Sequence, residues 1–147
     1  MRINMIKPIH TDHLVAEFDD ETGVAFITYI GRHTQEAGDH AARWGRELVQ
    51  QLGPQAIRGA VFDFSQVTTF EEPTFSWAKT RHENINRPAD MTHHPIAMIV
   101  ATQYQDSIVS AVTERLGTTQ RAALVNNRDE ALAFIDSWHA QLDDHDS

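Results

Sequence analysis

The sequence predicts one mixed α/β domain, in which helices pack against a single β-sheet. Three observations support this fold class. At 147 residues the chain is long enough to bury a core, and short apolar runs alternate with stretches of helical period. Two apolar runs near the N-terminus are joined by turn-forming residues, which predicts an antiparallel hairpin. Because strands separated by helices favour parallel crossovers, the predicted sheet is mixed, with the element order β-β-α-β-α-β-α-β-α.

The first third of the chain contains the hairpin and one helix. Residues 1–12 show no clear period and predict an irregular lead-in. The stretches 13–18 and 23–30 have strand character, with Asp, Glu, Thr and Gly between them. Apolar residues at steps of three and four then predict a helix over 34–52, which a Gly-Pro pair ends.

The middle of the chain carries the most informative pattern. The stretch 58–64 is an apolar run of strand length and predicts a buried central strand. A polar connector is expected over 65–69. Pro73 suits the first position of a second helix, because the N–H group that proline lacks would have been unpaired there. This predicted helix, the Pro73 helix, ends by Pro88.

The last third of the chain predicts a strand, a third helix, another strand and a final helix. The first three cover 95–101, a stretch from Asp106 or Ser107 to Leu116, and 121–125. Asn127 and Glu130 have the spacing of a capping box, which places the start of the final helix. Its predicted inner face holds Ala131, Phe134, Ile135, Trp138 and Leu142. The acidic residues of 143–147 are expected to form a short solvated tail.

Composition limits the classes of function. The chain has 12 Lys and Arg against 21 Asp and Glu, for a formal net charge of −9. This charge disfavours nucleic acids and anionic membranes as partners, because phosphate binding needs clustered cations. The absence of cysteine excludes disulfides and thiolate metal sites. No apolar stretch has the length of a membrane span or of a signal-peptide core, so we expect a cytoplasmic protein.

The layout of the central stretch resembles the STAS family, which includes SpoIIAA-like anti-sigma-factor antagonists. In that family a buried strand ends in Asp, and a second Asp precedes a phosphorylatable Ser at the start of a helix. Asp63 matches the first Asp, while Glu71 and Glu72 occupy the positions of the second Asp and the Ser. The element order is also similar over roughly 13–142. The resemblance implies one STAS-like domain over 1–147 that lacks the usual serine switch.

This resemblance implies a non-catalytic regulatory or protein-interaction module. Its partner surface would be the loop after the central strand and the start of the Pro73 helix. The residues expected on that surface are Asp63, Ser65, Thr69, Glu71, Glu72, Thr74 and Trp77. Exposed apolar residues around the Pro73 helix could also support a homodimer. The sequence has no glycine-rich phosphate loop and no nucleophile elbow, so we predict no catalytic residues and no cofactor.

The acidic residues of this surface also have local explanations. Asp63 can accept hydrogen bonds from the amides of 65–67 in an Asx-type turn. Glu71 and Glu72 can complement the dipole at the start of the Pro73 helix, at about 0.3–1 kcal/mol each. Glu72 would mimic a phosphoserine only in part, because a glutamate carries one negative charge against about 1.5 to 2.

Two alternatives involve a bound ligand. A pocket between the sheet and the Pro73 helix would make the protein a carrier or sensor of a small apolar ligand. The residues expected to line it are Phe64, Phe75, Trp77 and His82. His33, Glu36 and His40 fall three and four residues apart and could share a helix face as metal ligands. Because the sequence has no His-Glu-x-x-His motif, we predict no metal site.

Overall fold

The computed structural model describes residues 6–71, 94–116 and 121–146. Within them, six strands form one sheet, and three α-helices pack against it. The strands are β1 (Ile9–His10), β2 (Leu14–Asp19), β3 (Val24–His33), β4 (Gly59–Phe70), β5 (Ile96–Ile99) and β6 (Ala122–Val125). The helices are α1 (Gln35–Leu52), α2 (Gln103–Leu116) and α3 (Arg128–Asp146), and a 3-10 turn covers Pro54–Ala56. The predicted mixed α/β fold is confirmed.

The strands follow one another across the sheet in chain order, from β1 to β6. β1, β2 and β3 are antiparallel neighbours, whereas β3 to β6 run parallel. Gly23 closes the β2–β3 hairpin with a φ of 73°, a left-handed conformation that favours glycine. Its N–H donates to Asp19 O at 2.8 Å, and its carbonyl accepts from Arg58 N at 2.6 Å. The hairpin turn therefore also fixes the chain at the start of β4.

The two faces of the sheet are covered by different helices, because successive side chains in a strand alternate between faces. On one face the core holds Ala25, Ile27 and Tyr29 of β3 with Trp44 and Leu48 of α1. On the other face it holds Val24 and Phe26 of β3 with Ala131 and Ile135 of α3. A third cluster surrounds Val109 of α2, and Phe62, Phe64 and Phe70 of β4 pack against both this cluster and the core beneath α1. In the described part of the chain, α1 and α2 therefore lie on the same face.

β4 is longer than the sequence predicts. The connector expected over 65–69 is part of the strand, which runs on to Phe70 because β3 continues beside it. Val67 is buried in this stretch, whereas Gln66 and Thr68 are exposed. A strand with one solvated side carries polar residues much as a loop does, and this similarity explains the error.

Other element boundaries also differ from the prediction, since β3 runs to His33, three residues further than predicted, and β5 covers only Ile96–Ile99. β1 lies within the lead-in that was expected to be irregular. α2 begins at Gln103, before the predicted starts at Asp106 and Ser107. α3 continues to Asp146, so most of the predicted tail is helical, and Leu142 is 41% exposed instead of facing the core. The Pro73 helix lies outside the described residues.

The length of α3 explains why its inner face ends early. A helix of 19 residues is about 28 Å long. The four-residue strands β5 and β6, on which it packs, span about 13 Å each. The start of the helix is as predicted, because Asn127 Oδ1 accepts from Glu130 N at 2.9 Å. The two side chains also contact each other, because Asn127 Nδ2 donates to Glu130 Oε2 at 3.0 Å.

Candidate interaction surface

β4 extends beyond its neighbour β5 at the carboxyl end of the parallel strands. β5 pairs with β4 only from Ala60 to Asp63, so residues 64–70, the β4 extension, have a partner strand on the β3 side alone. Two register shifts against β3 occur along this stretch. Such bulges are common beside active sites, and open parallel sheets bind ligands at the carboxyl ends of their strands. The β4 extension is therefore well placed to contact a partner.

Asp63 stands where β4 loses β5 as a neighbour. Its Oδ1 accepts from Ser65 N at 2.9 Å and from Ser65 Oγ at 2.6 Å. Both residues are half-buried. Of the amides predicted to donate to Asp63, only that of Ser65 does so. The local explanation of Asp63 is thus confirmed for one amide, although the residue lies inside a strand and not at its end.

The open side of the β4 extension is closed by the side chain of Gln105, which is 2% exposed. Its Nε2 donates to Ser65 O at 3.2 Å and to Val67 O at 2.9 Å. Its Oε1 accepts from Ala101 N at 2.7 Å and from Thr102 N at 3.1 Å. A glutamine amide offers two N–H donors and two acceptor lone pairs, so all four are used. Gln105 thus pairs with β4 where β5 does not.

Thr102 and Tyr104 complete the junction between α2 and β4. Thr102 Oγ1 accepts from Gln105 N at 3.1 Å, which together with the Gln105 Oε1 contact forms a capping box. Tyr104 Oη accepts from Phe70 N at 3.1 Å, and the centroids of these two rings are 5.7 Å apart. The α2 turn, residues 102–105, therefore holds the β4 extension both near its start and at its end.

On the α1 and α2 side, the β4 extension packs into an aromatic cluster. The ring centroids of Tyr29 and His33 are 4.4 Å apart, and those of His33 and Phe70 are 5.4 Å apart. Phe64 stacks on Tyr29 at 5.4 Å and lies 6.0 Å from Phe70. Tyr29 and His33 are buried. Phe64, which was predicted to line a ligand pocket, therefore lies among aromatic side chains of the core.

Solved structures share the fold at low sequence identity. One match is an uncharacterized protein of the DUF3478 family from Shewanella loihica PV-4, which has a SpoIIAA-like fold. Its TM-score is 0.58 at 12% identity, and the match covers 92% of this chain and 98% of that protein. The anti-sigma factor antagonist SpoIIAA in its unphosphorylated form matches with a TM-score of 0.53 and 8% identity, over 80% of this chain and 91% of its own. The protein has a SpoIIAA-like fold.

The phosphorylated form of the Bacillus cell fate determinant SpoIIAA matches this SpoIIAA-like domain to the same degree, with a TM-score of 0.53 and 8% identity over 80% of this chain and 94% of its own. A comparison with protein-family models and with curated proteins found no match. Identities this low show the fold and not the function. Among the helices that the structure describes, none combines the length and the apolar character of a membrane span.

The SpoIIAA-like domain brings four of the predicted surface residues to one end of its sheet. Asp63, Ser65 and Thr69 lie in β4, and Glu71 directly follows the strand. Thr69 is exposed, and Glu71 is half-buried. Glu71 N donates to His33 O at 2.9 Å, which prolongs the contact between β4 and β3 by one residue. The other predicted residues, Glu72, Thr74, Phe75, Trp77 and His82, lie outside the described residues.

Tyr104 and Gln105 were missed by the prediction from sequence. The pattern Thr-x-x-Gln over 102–105 is a capping-box signal that places the start of α2 correctly. No comparable signal shows that the amide of Gln105 reaches Ser65 and Val67. That contact arises because β5 is shorter than β4, which depends on the pairing of distant strands.

The histidines considered as metal ligands do not converge. His33 lies in β3, where its ring packs against Tyr29 and Phe70, whereas Glu36 and His40 lie in α1. Within residues 6–71, 94–116 and 121–146, no group of three His, Asp or Glu side chains could hold a metal ion.

Proposed function

We propose that the protein is a non-catalytic regulatory module that binds a protein partner through the β4 extension, Glu71 and the start of the Pro73 helix. Its fold supports this proposal, because SpoIIAA, which shares the fold, is an anti-sigma factor antagonist. The observation that carries the proposal is the β4 extension itself. It projects beyond β5, exposes Gln66, Thr68 and Thr69, and is held by hydrogen bonds from the α2 turn. A surface ordered before binding loses little conformational entropy on association.

Serine phosphorylation does not control this surface in the proposed mechanism. Glu72 occupies the position of the phosphorylatable Ser in the STAS family and supplies a permanent, smaller negative charge. After incubation with ATP and a serine kinase that acts on STAS proteins, intact-mass spectrometry should show no added phosphate. Phosphate on Thr68, Thr69, Thr74 or Ser76 would contradict this part of the proposal.

Site-specific photo-crosslinking in cells tests where the partner binds. A photoreactive amino acid at Thr69 should capture one protein, and the same group at Gln50, an exposed residue of α1, should not capture it.

The affinity of the purified partner should then fall at least about tenfold in Glu72→Lys, as expected for reversing a charge that faces a complementary surface. Glu47→Lys, the same charge change at an exposed position of α1, is the matched control. Equal affinity in both variants would count against this placement of the partner.

A second candidate function is the transport or sensing of a small apolar ligand, bound between the sheet and the Pro73 helix beside the aromatic cluster of Phe64. The cluster lies on the side of the sheet that α1 and α2 cover and includes the end of β4. Native mass spectrometry of the protein as purified tests this function and also determines the oligomeric state. A mass of 16.6 kDa or an integer multiple supports the interaction module, as monomer or homo-oligomer. A bound ligand would appear as extra mass that is lost on denaturation and is absent from the Trp77→Ala variant, and this result supports the transport or sensing of a ligand.

A further inference from the structure

Tyr104 is exposed at the point where α2 meets the β4 extension. Its side chain is 46% exposed, although Tyr is a large and partly apolar residue. The ring is held by two contacts with Phe70, because the two rings pack at a tilt and the Tyr104 Oη accepts from Phe70 N. Tyrosines that are fixed before binding supply contact area at a low cost in conformational entropy, and they are frequent among residues that dominate binding energy.

The exposed residues that β4 and the α2 turn contribute to this junction carry no charge. On β4 these residues are Thr68 and Thr69, and on the α2 turn they are Thr102, Gln103 and Tyr104. Charged residues flank them, with the exposed Arg32 of β3 paired with Thr69, Glu71 after β4 and the exposed Asp106 after the α2 turn. Protein–protein interfaces have this distribution, with aromatic and uncharged residues at the centre and charged residues at the rim.

We infer that the α2 turn forms the second half of the partner-binding surface, with Tyr104 as a contact residue and Gln105 as the residue that positions it. This inference rests on the proposed function. The partner it fits is a protein with an uncharged, hydrogen-bonding contact area. The net charge of −9 repels phosphate groups, and Arg32 is a single cation where phosphate binding needs a cluster, so a protein suits this surface better than a nucleic acid or an anionic membrane.

Gln105 positions the surface through its two N–H donors. Gln105→Glu keeps an oxygen that can accept from Ala101 N and Thr102 N, so the α2 cap survives. A carboxylate has no N–H, however, and would place negative charge beside the carbonyl oxygens of Ser65 and Val67. The substitution therefore removes the contacts of α2 with Ser65 and Val67 and leaves the start of the helix in place.

Hydrogen–deuterium exchange tests the role of Gln105 without any partner. In Gln105→Glu, the amides of Phe70 and Glu71 should exchange at least about tenfold faster, while those of Ala97 to Ile99 in β5 keep their rates. Gln103→Glu is the matched control, because it adds the same charge on the same turn at an exposed residue. Unchanged exchange at Phe70, or equal acceleration in both variants, would overturn the positioning role.

Photo-crosslinking and affinity measurements test the role of Tyr104. A photoreactive group at position 104 should capture the protein that is captured from Thr69. Tyr104→Ala should weaken binding of that purified protein at least tenfold, and Tyr104→Phe, which keeps the ring, much less. Leu142→Ala, at the exposed apolar residue of α3, is the control and should bind normally.

The outcomes separate this inference from the proposed function. A protein could be captured from Thr69 and still bind Tyr104→Ala with normal affinity. That result overturns the role of the α2 turn and leaves the proposed function in place. Failure to capture any protein from Thr69 overturns the proposed function, and the inference with it. Capture of one protein from both positions, with the loss of affinity in Tyr104→Ala, supports both.

Discussion

Asp63 shows how one carboxylate shapes the candidate surface at the scale of the residue. Its Oδ1 accepts two hydrogen bonds from Ser65, at 2.9 Å from N and at 2.6 Å from Oγ. These bonds lie where β4 passes the end of β5. Hydrogen bonds to charged groups contribute about 1.5–3 kcal/mol. Asp63 is therefore explained by the backbone that it holds, without a bound ligand.

Two substitutions of Asp63 distinguish the contribution of its acceptor oxygen to stability from the contribution of its charge. Asp63→Ala should lower the free energy of unfolding by about 1–3 kcal/mol, because Ser65 N loses its acceptor in a half-buried place. Asp63→Asn keeps an acceptor oxygen and should lose less than about 1 kcal/mol. Urea denaturation followed by circular dichroism measures both values. Equal losses would show that the charge, and not the contact with Ser65, is what stabilises the fold.

At the scale of the element, α2 and β4 depend on each other. Gln105 is a member of the α2 capping box and also closes the open side of the β4 extension. Four backbone groups, two in β4 and two just before the start of α2, would lose a partner if its amide were removed. An unpaired buried polar group costs about 1–3 kcal/mol, so the two elements are stable in this arrangement only together.

Thr102 tests the contribution of the α2 cap alone. Thr102→Ala removes the acceptor of Gln105 N and should lower the free energy of unfolding by about 0.5–2 kcal/mol, the usual cost of losing an N-cap. Ser107→Ala, at an exposed position of the same helix, should stay within about 0.5 kcal/mol of the unsubstituted protein. Urea denaturation of both variants checks this, and equal effects would argue against a capping role for Thr102.

At the scale of the whole molecule, the described part of the sheet is covered unequally. α1 and α2 share one face, while α3 packs on the other through Ala131 and Ile135, which are 0% exposed. One turn of α3 thus carries much of the contact on its face. The end of the helix extends past the short strands β5 and β6 and leaves Leu142 exposed.

Two truncations in α3 should differ strongly in their effect on global stability. Ile135→Ala should lower the free energy of unfolding by about 2–5 kcal/mol, because it leaves a cavity against the sheet. Leu142→Ala should change it by less than about 0.5 kcal/mol, since that side chain is largely solvated. Thermal unfolding measured by calorimetry compares the two. A large loss in Leu142→Ala would mean that α3 packs further along its length than the structure shows.

The sequence by itself determined the features that depend on near neighbours in the chain. Turn residues placed the β2–β3 hairpin, apolar steps of three and four placed α1, and Asn127 with Glu130 placed the start of α3. The layout around Asp63 also predicted a SpoIIAA-like fold, which the solved structures confirm. Period and capping chemistry act over a few residues, so a single sequence contains the information that they need.

Only the tertiary structure decided the shape of the candidate surface. Residues 65–69 have the composition of a loop, and they form a strand because β3 runs beside them. Gln105 has the sequence context of a helix cap, and it became a partner of β4 because β5 stops at Ile99. Both outcomes depend on where distant strands begin and end. Residues that pair across such separations leave no period in the local sequence, and their contacts appear only once the chain has folded.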